Sequence, residues 1–302
     1  MSISRLGLGV LAGAFLAGSA CAQTVYNGSA GFSQDSILAG AQAAYAQAAQ
    51  HEIETAETNL NIAVNAQGFQ YKENLTPGDR ESGGMPGFTI GASYLQPVLA
   101  WSPRDDLYTA FSYQFNAGNL AYDGTVENLN TGATAPFDTT DRAVMNRIEG
   151  RFGFGFPVTP GWEVIPYLAA GYQSWNRNTD TSTVGYGDED YSGALLGLGL
   201  RNDWAVTPTL VVRAEAEILG ILVANITNND AYISHGMGGS AEERLSTGLD
   251  YNISGPLHFT FDTYWEHFNW AGFKATPATY GAYEPLSTTY EAGVNVGTTY
   301  AF

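Results

Sequence analysis

The C-terminal stretch Tyr290–Phe302 alternates without a break. Tyr290, Ala292, Val294, Val296, Thr298, Tyr300 and Phe302 fall on one face, and Glu291, Gly293, Asn295, Gly297, Thr299 and Ala301 on the other. A period of two is the signature of a strand with one apolar and one polar side. The same pattern recurs along the chain and predicts ten strands, at about 59–72, 88–101, 106–117, 144–157, 162–177, 191–204, 208–221, 242–253, 257–270 and 288–302. In 144–157, Ile148, Phe152, Phe154 and Phe156 oppose Arg147, Glu149 and Arg151. In 191–204, Leu196, Leu198, Leu200 and Trp204 oppose Arg201 and Asp203; in 208–221, Leu210, Val212 and Ile218 oppose Arg213, Glu215 and Glu217. In 257–270, Leu257, Phe259, Phe261 and Trp265 oppose His258, Asp262 and Glu266. The pattern slips near Gln96-Pro97, where a bulge is expected.

The connections have a rhythm. Val158-Thr159-Pro160-Gly161, Val206-Thr207-Pro208, Ser254-Gly255-Pro256 and Ser102-Pro103-Arg104-Asp105 read as tight reversals, because Pro lacks a ladder donor and suits turns. Long polar segments alternate with them, at roughly 73–87, 119–142, 178–190, 222–240 and 271–287. Short turns at one end and long loops at the other describe an all-β, antiparallel up-and-down transmembrane β-barrel of about ten strands. The charged faces would form its lumen, since ions facing lipid near mid-membrane cost a few kcal/mol each. Aromatic residues near strand ends fit two interfacial girdles: Trp101, Phe156, Trp162, Trp204, Tyr300 and Phe302 by the tight turns, and Tyr71, Tyr122, Tyr172, Trp175, Tyr191 and Trp270 by the long loops.

The terminal alternation ending in Tyr300 and Phe302 resembles the C-terminal signature of Gram-negative outer-membrane β-barrels. That resemblance implies that these two residues act as the assembly signal and that the barrel-assembly machinery is a partner. It also implies an integral outer-membrane location among outer-membrane lipid and lipopolysaccharide.

Residues 1–22 agree. Arg5 precedes an apolar run from Leu6 to Ala17, and Ala20-Cys21-Ala22 forms an A-x-A cleavage site, so a cleaved signal peptide is expected. Gly18-Ser19-Ala20 lacks the leucine expected three places before a lipidated Cys21. Cleavage after Ala22 removes the only cysteine, leaving no thiol chemistry. Residues 23–58 form a separate N-terminal segment, a periplasmic helix or a plug. Within it Ser33–Gln50 is rich in Ala and Gln, with a Ser cap and a thin apolar stripe of Ile37, Ala41, Tyr45 and Ala48. Residues 59–302 are the barrel.

Composition narrows the function. The 30 Asp+Glu against 12 Lys+Arg make nucleic acid an unsuitable partner. The lumen charges Arg147, Glu149, Arg151, Arg201, Asp203, Arg213, Glu215, Glu217, Asp262, Glu266 and Glu291 are the candidate pore lining. They would pair across the interior, because an unpaired buried ion is costly. Their acidic excess favours cations if the lumen conducts.

Two outer-membrane enzyme families bear comparison. Omptin proteases are similar in strand count but need an Asp pair facing an Asp-His pair. Here Asp230 and His235 lie five residues apart, and Asp138, Asp141 and Asp188 are dispersed. Glu266-His267-Phe268-Asn269-Trp270-Ala271-Gly272 resembles the lipid A deacylase motif, with Asn269 in the place of its serine nucleophile. Asp188-Glu189-Asp190 is an acidic run without the spacing of a calcium loop, and His51 and His258 have no partner at ligand spacing. No cofactor, metal or catalytic residue is expected. The function expected is a monomeric, non-enzymatic barrel: a narrow channel for small polar solutes or ions, or a structural barrel whose acidic loops meet an extracellular partner. A periplasmic protein partner is also compatible, and the alternative is an outer-membrane hydrolase.

Overall fold

The computed structural model describes residues 34–76, 78–97, 106–128, 133–179, 187–230, 232–273 and 284–302. The signal peptide, the Ser33 cap, Trp101 and the Ser102–Asp105 turn lie outside these residues. Residues 42–302 form one compact unit.

The helix is α1, Gln34–Glu57, and eleven strands follow among the described residues. They are β1 (Asn59–Glu73), β2 (Arg80–Pro97), β3 (Asp106–Asn128), β4 (Ala133–Thr159), β5 (Trp162–Thr179) and β6 (Asp188–Thr207). The remainder are β7 (Leu210–Asn228), β8 (Ile233–Gly236), β9 (Ser240–Ser254), β10 (Leu257–Trp270) and β11 (Ser287–Ala301). Neighbours pair antiparallel in chain order, β7 pairs with β9, and β1 pairs with β11 along its whole length, from Asn59↔Ala301 to Glu73↔Ser287. The ring is closed, and the ten long strands expected from the alternation are its staves. Short β8 pairs only with the end of β7.

Parity decides each side chain's side. Leu60, Ile62, Val64, Phe88, Ile90, Phe152, Leu168, Leu196, Leu198, Ile218, Val294 and Val296 are exposed on the outer wall, whereas Glu149, Asp203, Glu217, Glu266 and Glu291 are buried within. Tyr300 and Phe302 point outward at the end of β11. The tight turns need glycine where the backbone turns left-handed, at Gly161 (φ 82°) and Gly255 (φ 57°).

Three expectations are corrected. First, no bulge lies at Gln96-Pro97: the β2–β3 register runs in step through Leu95↔Tyr108, Gln96↔Leu107 and Pro97↔Asp106. Leu95 breaks the polar-inward pattern because it packs inside with Ile53 and Ala56 of α1, and its carbonyl accepts the Thr58 hydroxyl at 3.0 Å. Second, segments 119–142 and 222–240 are largely strand. The β3–β4 ladder continues from Asn119↔Arg142 to Asn128↔Ala133, and β7 runs to Asn228 before β8 folds back on it. Above the apolar belt both faces of a ladder can meet water, so polarity rises while pairing persists.

Third, α1 buries a different stripe. Ile37, Leu38 and Tyr45 are exposed, and Ala49, Glu52, Ile53, Ala56 and Glu57 are buried, at helical spacing. This half of α1 seats at the tight-turn end of the ring. The Tyr45 hydroxyl donates to the Val206 carbonyl at 3.3 Å, Gln50 Nε2 donates to Glu163 at 3.0 Å, and Glu57 pairs with Arg201.

Leu198→Arg places a charge in the middle of the apolar belt. It is expected to cost about 2–4 kcal/mol of folding stability in lipid vesicles, measured by urea titration; unchanged stability would deny that the belt faces lipid.

Candidate functional site

The lumen is built as a stack of layers. At its middle Arg147 of β4 is buried and reaches three carboxylates on three strands: Glu149 at 2.7 Å, Glu242 of β9 at 2.5 Å and Glu266 of β10 at 2.9 Å. Arg151, two inward positions further along with Glu149 between, meets Glu149 at 2.7 Å, Glu215 at 2.9 Å and Glu217 at 3.5 Å. Each charge is desolvated, and each guanidinium shares its N–H groups among several acceptors, as a buried ion requires.

Nearer the tight turns Arg201 joins Asp203 (3.2 Å), Glu215 (3.6 Å) and Glu57 of the helix. Arg213 leans on Asp250 (3.4 Å) and Asp262 (3.9 Å). The Asp262 carboxylate occupies the space where Gly248 lacks a side chain; a Cβ there would lie 1.9 Å from its Oδ1. The opposite wall, from β1 to β3, carries small neutral residues, among them Asn59, Asn61, Ala63, Ser93, Ala110 and Ser112. Long charges on one wall and short side chains on the other leave a chamber of about 180 Å³.

Of the candidate pore-lining residues, Arg147, Glu149, Arg151, Arg201, Asp203, Arg213, Glu215, Glu217, Asp262 and Glu266 therefore meet in ion pairs. Glu291 is buried, but its Oε1 has no hydrogen-bond partner. Sequence reading missed Glu242, Arg244 and Asp250 of β9. It also missed the partner of His258, whose Nδ1 lies 2.5 Å from Asp250 Oδ1, with both side chains fully buried.

Towards the long-hairpin end the interior becomes aromatic, which corrects the outer girdle. Tyr71, Trp175, Tyr191 and Trp270 are buried inside the ring, as is Tyr122; only Tyr172 of that set is exposed on the outer wall. Trp175 sits 5.2 Å from Phe69, 5.1 Å from Tyr71 and 4.9 Å from Tyr191, whose ring lies 5.6 Å from Trp270. Inward parity, shared with Glu266 on β10 and Arg201 on β6, overrides position along the strand. Above this layer Arg177 pairs with Glu81 and with Glu189 (2.8 Å) and faces the Tyr71 and Tyr122 rings. Glu284 accepts from the Tyr191 hydroxyl at 2.8 Å, and burial pushes its carboxyl up to about 8.

The other candidates are occupied structurally. Asp188 and Asp190, which lie on β6, accept from the amides of Asn176 and Asn229. Asp230 accepts from the backbone N–H groups of Gly187 and Asp188, which hold its carboxyl below the usual range, while the His235 ring packs tilted against Phe273 at 4.5 Å. His267 stacks on Tyr290 at 4.8 Å, and Asn269 accepts from Thr288.

A closed ring of ten long strands, with an apolar belt outside and charges gathered within, pairs each of those strands on both sides, as lipid demands. The fold is that of an outer-membrane β-barrel. The chain is similar in structure to the outer-membrane protease OmpT of Escherichia coli (12% identity, 82% of this chain and 97% of that one, TM-score 0.45). It is also similar to the translocator domain of the autotransporter NalP of Neisseria meningitidis (11%, 89% and 98%, TM-score 0.39) and to the attachment invasion locus protein Ail of Yersinia pestis (11%, 80% and 99%, TM-score 0.32). Neither a family model nor a curated protein matches the sequence.

Two outcomes test this interior. Arg147→Met takes from Glu242 its ion-pair partner and leaves Glu149 to Arg151 and Glu266 to the more distant Arg244, and is expected to destabilise the barrel by about 3–5 kcal/mol in detergent unfolding at neutral pH, with partial recovery in acid.

The helix contributes a pH dependence. Burial raises the carboxyls of Glu52, Glu54 and Glu57, the last from 4.5 to about 8 even beside Arg201. A docked helix holds protons that an undocked one releases. Docking is therefore strongest below pH 4.5 and weakens as pH rises through about 8. A nitroxide on Gln47→Cys should gain mobility across that window; a flat response would refute the linkage.

Proposed function

We propose that this protein is a monomeric, non-enzymatic, integral outer-membrane barrel with a closed lumen, acting through its extracellular hairpins rather than by passing solutes. The observation that carries this reading is closure by three chemistries in series. These are the seated half of α1 at the tight-turn end, the arginine–carboxylate layers around Arg147 and Arg201, and the aromatic layer of Tyr71, Trp175, Tyr191 and Trp270. The tight turns and α1 are then periplasmic. The β3–β4 hairpin and the β7–β8 fold-back project outside, where an extracellular protein is the partner they suit. Outer-membrane lipid and lipopolysaccharide surround the belt, and Tyr300 and Phe302 present the terminal strand to the assembly machinery.

Hydrolysis finds less support. His267 belongs to the outward parity of β10, and Asn269 offers no nucleophilic oxygen where a serine would be needed.

The test is conductance of the refolded barrel in a planar bilayer. The full chain is expected to be silent. Removal of residues 23–58 alone should leave it silent, because the charged and aromatic layers still close the lumen. Stable, salt-dependent steps in the full chain would overturn the closed reading and establish a pore.

A further inference from the structure

The chamber of about 180 Å³ is lined by five guanidiniums, and they are not equally engaged. Arg147, Arg151 and Arg201 each donate to two or more carboxylates at close range. Arg213 and Arg244 do not. Arg213 lies 3.4 Å from Asp250, which already holds His258 at 2.5 Å, and its Nε has no hydrogen-bond partner. Arg244 stands 3.8 Å from Glu266, beyond hydrogen-bond reach, and Arg147 already holds that carboxylate at 2.9 Å. The Arg244 guanidinium otherwise lies over the Tyr264 ring at 5.1 Å. A guanidinium keeps its charge and its full set of N–H donors. Two of them lining one cavity with donors to spare suit a carboxylate.

The acceptors of the chamber divide in the same way. Glu57, Glu149 and Glu215 are held by Arg201 or Arg151. Asp262 meets only Arg213 among the described residues, at 3.9 Å, and its side chain is 27% exposed, more than any other carboxylate of the arginine layers. Asn295, opposite Asp262 in the β10–β11 ladder, leaves its Oδ1 without a partner. Oxygens without donors suit an ammonium. Arg213, Gly248 and Asp262 are aligned across β7, β9 and β10, and Arg244 lies two inward positions from Gly248, beyond the short Ser246. An anion alone would be set against Asp262, and a cation alone against Arg213 and Arg244; one molecule carrying both charges answers both. The far wall of Asn61, Ser93 and Ser112 is neutral and short. The volume equals that of about six waters, which limits the occupant to the bulk of a small amino acid.

We propose that the chamber is a binding site for a small zwitterion of the α-amino-acid type, its carboxylate on Arg213 and Arg244 and its ammonium on Asp262 and Asn295. The seated half of α1 covers the chamber at the tight-turn end, where Glu57 lines it, and the solute enters from that end when the helix lifts. Holding a solute needs no conducting lumen, so this binding and the conductance of the barrel stand or fall separately.

The experiment titrates free L-serine, glycerate, serinol and glycerol into the refolded full-length mature barrel at neutral pH. These solutes are alike in size and carry, in that order, both charges, only the negative, only the positive and neither. Binding is read by saturation-transfer NMR on the solute. L-serine is expected to bind most tightly, with glycerate and serinol weaker by about tenfold or more. Arg244→Met should weaken L-serine and glycerate by a similar factor and leave serinol unchanged. Asp262→Asn should weaken L-serine and serinol and leave glycerate unchanged. Heat-modifiable migration on a gel confirms that each variant is folded. Should one not fold, Ser112→Leu, which fills the chamber from its neutral wall, replaces it and should abolish binding of L-serine. Glycerate binding as tightly as L-serine would overturn the proposal in favour of a site for anions alone, and serinol doing so would make it a site for cations. No binding of L-serine up to its solubility would leave the chamber to water.

Discussion

Arg147 is the interaction on which the interior depends. Its guanidinium spans the lumen from β4 to Glu242 of β9 and Glu266 of β10, so it ties opposite walls of the ring that share no backbone hydrogen bond. Backbone pairing holds each strand to its neighbours but leaves the cross-section free to flatten. A charge that must find three acceptors at hydrogen-bond distance opposes that deformation. Removing either side leaves an uncompensated buried ion, so the layer acts as a cross-brace as much as a filling.

The brace is asymmetric, and that asymmetry produces the chamber. Long charged residues come from β4, β6, β7, β9 and β10, while β1 to β3 contribute Asn, Ser and Ala. Where both walls were long the lumen would be filled; where both were short it would be open. Here the charged residues reach one another and stop short of the far wall. The helix then covers the chamber from the tight-turn end, with Glu57 lining it. An acidic helix end seated in an acidic barrel is held by Arg201 and by the protons that burial retains on its carboxyls, which makes docking conditional on pH rather than permanent.

Much of this was legible in the chain. Strict period-two alternation in β4, β6, β7, β10 and β11 put the charged residues inside, and the ion pairs follow. Strand β9 is legible as a strand at 242–253 but its facing is not, because Glu243 sits on its outward face and spoils the contrast, hiding Glu242, Arg244 and Asp250. The aromatic layer was misplaced because distance from a turn was weighed above parity. Trp270 shares the inward phase of Glu266, and that phase decides. The helix stripe was misread for a related reason. A helix that docks on a polar lumen buries Glu52 and Glu57 beside Ile53 and Ala56, so hydrophobic periodicity marks only half of its docking face. The hairpins read as loops because hydropathy falls where lipid ends, whereas backbone pairing does not need lipid.

Closure of the ring follows from the seam between β1 and β11, the pairing most distant in sequence. It runs in one register from Asn59↔Ala301 to Glu73↔Ser287, with no shift, while the β4–β5, β6–β7 and β9–β10 ladders each slip at least once. A seam that joins the two ends of the barrel has no short turn to set its register, so its register must come from the side chains. A one-residue slip would turn Leu60, Ile62 and Val64 inward and Asn61, Asn65 and Gln67 towards lipid. It would also carry Glu291 out of the row shared with Glu266 and Arg244. The lumen chemistry and the apolar belt therefore specify the same register independently, and closure of the barrel and assembly of its charged interior are one event.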